Sequence, residues 1–322
     1  MKTLKLGKSS LLISPIVMGA WQAGKKYWVG VQDDDIISAI HAALESGVTA
    51  FDTAEEYGEG YSERLLAKAL GKKRKDVVLM SKVFSNHLEY GEVFEACERS
   101  LKNLKTDTLD LYQIHWPSGS FGSKSVPLVE TMRALIDLKE QGKIRAIGVS
   151  NFSLTQLKEA EKWGGIDSLQ PPYSLFWRHI EKELAPYCRE NQITLLAYSP
   201  LAQGFLTGKF SLGHRFKRGD NRAGNKLFTV GVFEQVIQCV DALKEFAERK
   251  NVTLAEAALA WVIDHPNTAA IAGARNAAQI TDSAKAMGLT FSGEEFRHME
   301  AVTWPVARQF LGDPFPWVWG GD

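Results

Sequence analysis

The chain changes from apolar to polar residues at the centre of the segment Val48-Thr49-Ala50-Phe51-Asp52-Thr53-Ala54-Glu55-Glu56-Tyr57-Gly58. Apolar and β-branched residues precede Asp52, which is typical of a buried strand. Polar residues follow it and end at a tyrosine and a glycine, which is typical of a loop. In α/β proteins, the side chains that do chemistry sit where a parallel strand ends and its loop begins. The segment therefore predicts a strand whose loop carries functional groups.

The same alternation of short apolar runs with helical segments continues along the chain. The predicted strands cover residues 16–20, 48–52, 77–82, 109–115, 144–149, 166–170, 193–198 and 269–272. Helical periodicity marks residues 33–44, 62–70, 93–104, 128–141, 154–163, 181–190, 233–250, 254–263 and 277–287. Strands that are apolar on both faces indicate a parallel sheet covered by helices. Eight such units predict an α/β fold of the (β/α)8 TIM barrel type.

The remaining segments fit one barrel. Residues 4–13 alternate between apolar and polar positions around Gly7-Lys8-Ser9-Ser10, so we predict an N-terminal β-hairpin that caps the barrel. The longest irregular piece, residues 199–232, contains six glycines and is long enough to suggest a functional loop. No change in composition marks a linker, and residues 1–322 are predicted to form a single domain.

The composition excludes several functional classes. Of the 322 residues, 45% are hydrophobic and 24% are charged, and the 38 basic side chains balance the 38 acidic ones. A net charge of zero gives no general reason to expect nucleic acid or a membrane surface as a partner. There is no apolar run of about 18 residues and no recognisable signal peptide. Three widely spaced cysteines, Cys97, Cys188 and Cys239, argue against a disulfide framework, so we expect a cytoplasmic protein.

Four complementary side chains stand at predicted strand ends or in the adjoining loops: Asp52, Tyr57, Lys82 and His115. A buried lysine beside a tyrosine is expected to lower the pKa of the phenol, and a nearby carboxylate keeps the lysine charged. The phenol can then exchange a proton near neutral pH, while an imidazole holds a carbonyl oxygen. Singly, each residue has a structural interpretation, such as a cap, a packed ring or a core histidine. Together they predict carbonyl reduction.

These residues and their neighbours resemble the signatures of the aldo-keto reductase superfamily. The matching segments are Asp52-x4-Tyr57, Lys82, Gln113-x-His115-Trp116-Pro117, and residues 51–58, 142–152 and 271–276. The resemblance is closest to the bacterial branch that includes general-stress reductases, to which potassium-channel β subunits are related. It implies that Tyr57 is the general acid and that His115 orients the carbonyl. It also implies that Lys82 tunes Tyr57 and that Asp52 pairs with Lys82.

The resemblance further implies a nicotinamide dinucleotide across the barrel mouth, with NADPH favoured over NADH. Ser150, Asn151 and Gln170 match the residues that hold the carboxamide, and Tyr198 matches the aromatic residue that stacks on the nicotinamide. Arg275 matches the region of the adenosine 2′-phosphate, which a guanidinium can bind through two hydrogen bonds. The implied cofactor-binding residues are Gly19, Ala20, Trp21, Asp52, Ser150, Asn151, Gln170, Tyr198, Ser199, Leu201, Gln203, Gly204, Thr207, Gly208, Lys209, Gly273, Arg275, Gln279, Asp282 and Ser283.

Aromatic side chains crowd the loops above the predicted site, and Phe84, Phe176 and Trp177 are among the candidates. An aromatic pocket with few charges predicts uncharged aldehydes or ketones as substrates. The C-terminal aromatic residues, among them Trp317 and Trp319, are expected to pack on the outside of the barrel, although related C-terminal segments can reach the pocket rim. By family position, the residues on the substrate side are Trp21, Trp28, Tyr57, His115 and Trp116.

Other motifs offer no competing site. Gly204-x3-Gly208-Lys209 is one residue short of a phosphate-binding loop, and Gly58-x-Gly60 lacks the third glycine of a Rossmann fingerprint. The histidines and cysteines lack metal-ligand spacing, so no metal is predicted. A nucleotide-binding redox-sensing subunit that regulates a partner protein is the alternative to an enzyme. The set of Asp52, Tyr57, Lys82 and His115 argues against a third alternative, an isomerase or lyase barrel. The sequence does not decide whether the protein forms a homo-oligomer.

Overall fold

The computed structural model describes residues 2–26 and 28–317. Its strands are β1 (Leu4–Lys5), β2 (Leu12–Ile13), β3 (Ile16–Gly19), β4 (Ala50–Asp52), β5 (Val78–Val83), β6 (Leu109–Ile114), β7 (Ile144–Ser150), β8 (Ser168–Gln170), β9 (Thr194–Tyr198) and β10 (Thr268–Gly273). The last eight strands pair in parallel and close into a barrel in the order β10-β3-β4-β5-β6-β7-β8-β9. The predicted (β/α)8 barrel is confirmed.

Helices surround the barrel. They are α1 (Asp33–Glu45), α2 (Tyr61–Leu70), α3 (Tyr90–Leu104), α4 (Leu128–Glu140), α5 (Leu154–Trp163), α6 (Leu184–Glu190), α7 (Val232–Arg249), α8 (Leu254–Asp264), α9 (Ala277–Lys285) and α10 (Gly293–Ala307). Several of these helices begin with a capping box. In α5, Ser153 and Gln156 form it. In the described part of the chain, none of the helices combines the length with the apolar surface that a bilayer span requires.

Helix α10 is missing from the sequence-based prediction, in which the last helix ends near residue 287. Its beginning is nevertheless marked in the sequence, because Ser292 and Glu295 form a capping box. Pro305 lies inside the last turns of the helix. Proline has no N–H to donate and is disfavoured in a helix interior, which weakens the local signal. Packing of α10 against α7 stabilises a helix that its own sequence marks only at one end.

The predicted hairpin caps the amino-terminal end of the barrel. Strands β1 and β2 pair antiparallel. Leu6, Leu11 and Ile13 are buried in the core inside the barrel, together with inward-facing residues of its strands. The hydroxyl of Thr194, the first residue of β9, accepts a hydrogen bond from the Gly7 N–H at 2.8 Å. The hairpin therefore covers apolar side chains that the open end of the barrel would expose to water.

The three cysteines are buried and unpaired. Burial raises the pKa of the Cys97 and Cys188 thiols to about 12, and that of Cys239 to about 11. Because the thiolate is the reactive form, these side chains are inert apolar groups near neutral pH.

The barrel interior leaves no room for a side chain at Gly148, in β7. A Cβ at this position would lie 2.2 Å from Ser168 Oγ and 2.8 Å from Gln113 Cγ. Both neighbours are fully buried on the adjoining strands and cannot move into solvent. Glycine is therefore required here by packing, because two polar side chains occupy the space that a methyl group would need.

We expect Gly148→Ala to lower the free energy of unfolding by about 1–3 kcal/mol, because an added methyl group in a filled core forces its neighbours out of their preferred rotamers. Gly165→Ala is the control, since its Cβ would meet no atom within 4 Å. Urea unfolding followed by circular dichroism measures both variants. Equal stability of the two proteins would contradict the packing argument.

Candidate active site

A groove of about 1260 Å³ opens at the carboxyl ends of the barrel strands. Its wall includes the last residues of β3, β4, β7, β8, β9 and β10, which is where a TIM barrel carries its active site. The sequence-predicted residues that border it are Gly19, Trp21, Trp28, Asp52, Tyr57, His115, Trp116, Ser150, Asn151, Gln170, Tyr198, Ser199, Leu201, Gln203, Gly204, Thr207, Lys209, Gly273, Arg275, Gln279, Asp282 and Ser283.

Three of the predicted catalytic and cofactor-binding residues lie away from the groove wall. Lys82 is fully buried behind Tyr57, which it contacts. Ala20 is buried, and its carbonyl oxygen accepts a hydrogen bond from the Ser62 hydroxyl at 2.7 Å. A side chain at Gly208 would meet Lys244, on helix α7. Ala20 and Gly208 are therefore not among the residues that border the groove.

Asp52, Lys82 and Tyr57 are joined by hydrogen bonds. The ammonium of Lys82 donates to Asp52 Oδ1 at 2.6 Å and to the Thr53 carbonyl at 2.8 Å, and it lies 3.2 Å from Tyr57 Oη. Lys82 is 0% exposed and Asp52 is 2% exposed. Asp52 ends β4 and Lys82 lies one residue before the end of β5, so the pairing of these neighbouring strands brings the two charges together.

Burial and the ion pair together set the protonation of this group. Burial acts to lower the pKa of Lys82, but Asp52 and Tyr57 outweigh it, so the pKa is raised and the lysine is charged. Burial raises the pKa of Tyr57 above its ordinary value of 10.0, although Lys82 acts in the opposite direction. The expectation of a lowered phenol pKa is therefore wrong, because desolvation of the phenolate outweighs the nearby cation. Tyr57 keeps its proton near neutral pH.

His115 follows β6 and meets the Tyr57 ring edge-on, with 5.5 Å between the ring centroids. Burial, and then the charge of Lys82, hold the pKa of His115 well below 6.5. The imidazole is therefore neutral at neutral pH and has one N–H to donate. Among the residues that the structure describes, its Nδ1 has no hydrogen-bond partner. The ring stands beside the phenol as an uncharged polar group at the groove.

Amide side chains occupy the second oxygen of Asp52. Gln170 Nε2 donates to Asp52 Oδ2 at 3.0 Å, and Gln113 Nε2 lies 3.4 Å from the same oxygen. The Ser168 hydroxyl in turn donates to Gln113 Oε1 at 3.4 Å. Strands β4, β6 and β8 thus share one buried polar network centred on Asp52. Because its Nε2 is used in this way, Gln170 has Oε1 left as the acceptor that can face a ligand.

The loop that carries Tyr57 is fixed by close backbone packing. Gly58 has a φ of +65°, and a Cβ there would lie 2.3 Å from the carbonyl oxygen of Gly24. In the other direction, a Cβ at Gly24 would lie 2.6 Å from the main-chain carbon of Tyr57. The loops after β3 and β4 therefore pack backbone against backbone, which leaves the Tyr57 main chain little freedom to move.

Asn151 joins the ends of β7 and β9 and the loop after β6. Tyr198 Oη donates to Asn151 Oδ1 at 2.9 Å. The Asn151 amide nitrogen donates to the His115 carbonyl and to Ser150 Oγ, each at 3.0 Å. Asn151 has a φ of +63°, a conformation that asparagine adopts more readily than most residues. The predicted carboxamide-binding residues and His115 are thus connected within one network.

Three cationic side chains lie close together on the groove wall. Burial lowers the pKa of Lys209 to about 8, and the charges of Arg222 and Arg275 act in the same direction. Asp220 holds the Arg222 guanidinium through two hydrogen bonds of 2.8 and 2.5 Å, and Arg275 donates to the Val29 carbonyl at 2.8 Å. Sequence analysis did not single out Arg222. Crowded cations in a concave wall fit the oxygens of a phosphate group.

Comparison with known proteins identifies the family. The chain matches the model of the Aldo/keto reductase family over residues 15–303. It is 33% identical to aldo-keto reductase YhdN of Bacillus subtilis, with 98% of each chain covered. It is 31% identical to the NADH-specific methylglyoxal reductase of Escherichia coli K12, with 96% of this chain and 100% of that protein covered. The chain belongs to the aldo-keto reductase family.

Solved structures agree with this assignment. The glycerol dehydrogenase of Gluconobacter oxydans superposes with a TM-score of 0.86 at 30% identity, covering 99% of each chain. An aldo-keto reductase from Klebsiella pneumoniae, solved in complex with NADPH, superposes with a TM-score of 0.77 at 30% identity and the same coverage. This aldo-keto reductase is an NAD(P)H-dependent oxidoreductase that acts on small carbonyl compounds.

The C-terminal segment of this aldo-keto reductase reaches the groove, whereas we expected it to pack outside the barrel. Trp317 is 5% exposed, and its ring lies 5.9 Å from that of Tyr198 with 18° between the planes. It also meets the Trp21 ring edge-on at 6.3 Å. The expectation was wrong because aromatic composition does not reveal which partner a tail will find. Trp319 lies outside the described residues.

The segment that precedes Trp317 is anchored to the loop of residues 199–232. The Lys226 N–H donates to the Pro316 carbonyl at 2.8 Å, and the Lys226 ammonium pairs with Asp313. Phe310 stacks on Trp177 with 4.6 Å between the ring centroids. Trp177, a candidate pocket residue, is therefore part of this anchor and does not border the groove.

The part of the groove beside His115 is walled by aromatic rings. Trp116 packs against Phe121 and Phe315, with ring centroids 5.1 and 5.0 Å away. Phe176, another candidate, is buried away from the groove. Sequence analysis missed Phe121, which sits in a short turn without a motif. The aromatic residues on the groove wall are Trp21, Trp28, Tyr57, Phe84, Trp116, Phe121, Tyr198 and Trp317.

We expect Lys82→Met to lower the free energy of unfolding by about 3–5 kcal/mol, because it leaves the Asp52 carboxylate buried without its cation. The double variant Asp52→Asn/Lys82→Met should recover most of that loss, since both charges are then gone. Urea unfolding of the single and double variants provides the measurement. If the double variant is as unstable as Lys82→Met, the cost does not come from an unpaired charge.

Proposed function

We propose that this protein reduces uncharged aldehydes and ketones to alcohols with NADPH, and that Tyr57 donates the proton. The observation that carries the proposal is the position of the Tyr57 hydroxyl. It lies 3.2 Å from a buried ammonium and borders a groove beside a neutral imidazole. A protonated phenol, a cation that can stabilise the phenolate, and an uncharged donor are the groups that a carbonyl oxygen needs as it gains negative charge.

Each of the four predicted catalytic residues then has one task in the reduction. When bound, the reduced nicotinamide supplies the hydride that attacks the carbonyl carbon. Tyr57 gives its proton to the carbonyl oxygen, and Lys82 stabilises the phenolate that remains. Asp52 keeps Lys82 charged at a site where burial alone would favour the neutral amine. His115 donates its N–H to the carbonyl oxygen and so orients it.

The direction of the Tyr57 pKa shift keeps the phenol in the form that reduction requires. Reduction requires the phenol in its protonated form, and oxidation of an alcohol requires the phenolate. Because burial raises the pKa above 10.0, the protonated form predominates throughout the neutral range. The proton for each turnover is therefore already in place.

The groove residues fit a dinucleotide phosphate. Gln170 Oε1 can accept a hydrogen bond from the carboxamide, since its Nε2 is held by Asp52. The cluster of Lys209, Arg222 and Arg275 supplies the positive charge that phosphate groups require. Because the relative from Escherichia coli is NADH-specific, membership of the family does not by itself decide between NADPH and NADH. Arg275 at the predicted 2′-phosphate position is our reason for proposing NADPH.

The aromatic wall supports apolar carbonyl substrates. Trp116 and Phe121 meet edge-on beside His115, where the substrate's non-reacting part would lie. Rings of this kind bind flat or short apolar groups through dispersion and exclusion of water. A phosphorylated sugar would find few polar partners on this wall. We therefore propose aromatic or short aliphatic aldehydes and ketones as the substrate class.

We expect Tyr57→Phe to abolish turnover and to leave the dissociation constant of NADPH within about threefold, because only the proton donor is removed. The assay follows NADPH oxidation with a panel of aldehydes and ketones, repeated with NADH, and calorimetry measures cofactor binding. Retained reductase activity in Tyr57→Phe would exclude the mechanism. A wild-type protein that binds NADPH but turns over very slowly and copurifies with a partner would favour the redox-sensing alternative.

We expect Trp317→Ala to bind NADPH about 2- to 10-fold more tightly. A nicotinamide stacked between two rings needs about 7 Å between their planes. The ring centroids of Tyr198 and Trp317 are 5.9 Å apart, and the nearly parallel planes cannot be farther apart than that. Separating an aromatic pair costs about 0.5–1.5 kcal/mol, which the variant avoids. Trp304→Ala, at an exposed position on α10, is the control. Calorimetry measures the dissociation constant of NADPH for each protein. Unchanged or weaker binding in Trp317→Ala would contradict this role of Trp317.

A further inference from the structure

One cluster of charged side chains beside the groove has no task in the mechanism. Glu55 lies between Asp52 and Tyr57 in the loop after β4, and its side chain is 10% exposed. Its Oε1 accepts hydrogen bonds from His87 Nδ1 and from the main-chain N–H of Phe84, each at 2.9 Å. Its Oε2 accepts from Arg99, on helix α3, at 3.1 Å. One carboxylate thus connects the loops after β4 and β5 with a surrounding helix.

The contacts in this cluster favour the charged form of each partner. Burial acts to raise the pKa of Glu55, but His87, the Phe84 N–H and Arg99 outweigh it, and the pKa is lowered. The hydrogen bond to Glu55 raises the pKa of His87, although partial burial opposes it. Hydrogen bonds that involve an ionised group are about twice as strong as neutral ones. The Phe84 main chain is therefore held by a strong acceptor.

Phe84 is one of the aromatic residues on the groove wall. Its ring meets His115 edge-on with 5.5 Å between centroids and stacks on Phe121 at 5.6 Å with 22° between the planes. Phe84 follows β5 directly, two residues after Lys82. The position of its main chain decides how much of the groove beside His115 the ring fills. A shift of that main chain would change the shape of the wall beside His115.

We propose that Glu55 is a positioning residue which, by holding the Phe84 main chain, sets the shape of the aromatic wall and the preference between aromatic and small aliphatic carbonyls. This inference rests on the proposed reductase function. It assigns no contact between Glu55 and the substrate. Glu55 acts through Phe84. Its replacement should therefore change the KM for bulky substrates and leave kcat, which reports the chemical step, nearly unchanged.

The test compares benzaldehyde with propanal in the full-length protein. We expect Glu55→Ala to raise the KM for benzaldehyde about tenfold or more, since losing a hydrogen bond to a charged group costs at least about that factor. The KM for propanal and both kcat values should stay within about threefold. Glu55→Gln, which keeps the Oε1 acceptor for Phe84, should restore most of the wild-type preference. Glu59→Ala, an exposed carboxylate in the same loop, is the control.

A double-variant cycle tests whether Glu55 works through Phe84. Phe84→Ala should also change the preference, and Glu55→Ala should add little to it in the double variant, because residues that act through one another are not additive. Full additivity, or an equal loss for benzaldehyde and propanal, overturns the proposal.

If Glu55→Ala does not fold, Arg99→Met replaces it. Arg99 is about half exposed, and its loss should raise the KM for benzaldehyde selectively by about two- to threefold. An unchanged preference in that variant also overturns the proposal.

The outcomes separate this inference from the function on which it rests. A wild-type protein that reduces neither aldehyde removes both the proposed function and the role of Glu55. A wild-type protein that reduces both, with an unchanged preference in Glu55→Ala, removes only the role of Glu55. A selective change in KM supports both.

Discussion

A lysine ammonium that is fully buried at the mouth of the barrel is the constraint on which the site depends. Removing a charge from water costs several kcal/mol unless partners replace the lost hydration. Asp52, the Thr53 carbonyl and Tyr57 are those partners, and all three come from β4 and its loop. The contacts that stabilise the charge are therefore the contacts that position the phenol. Gln113 and Gln170 extend the same network to β6 and β8 through the second oxygen of Asp52.

On its open side, the groove is bounded by two segments that hold each other. The Asn225 amide donates to Gln203 at 3.0 Å, and Asn225 also forms a β-bridge with Trp317. Lys226 binds the tail through Pro316 and Asp313. Gln203 is one of the predicted cofactor-binding residues, while Trp317 stands beside Tyr198. Hydrogen bonds and an ion pair therefore hold the loop of residues 199–232 against the C-terminal segment.

Much of this architecture follows from local signals. Apolar strands and amphipathic helices predicted the barrel, and the polar residues at strand ends predicted Asp52, Tyr57, Lys82 and His115. Helix α10 was missed because Pro305 weakens its pattern, although its capping box was visible. Arg222 was missed because nothing in its neighbourhood distinguishes it from a solvated loop residue. The direction of the Tyr57 pKa was predicted wrongly, since the sequence shows that a cation is near but not how completely the phenol is buried.

The sequence by itself determined the order of strands and helices, the residue types at the barrel mouth and the family, because these depend on periodicity and on short motifs along the chain. Only the tertiary structure decided which groups meet and how they are solvated. The Glu55 cluster, the position of Trp317 against Tyr198 and the balance between burial and charge at Tyr57 all depend on distances between segments far apart in sequence. Packing energies fall off steeply with distance, and electrostatic energies depend on distance and on burial, so spacing along the chain carries no information about either.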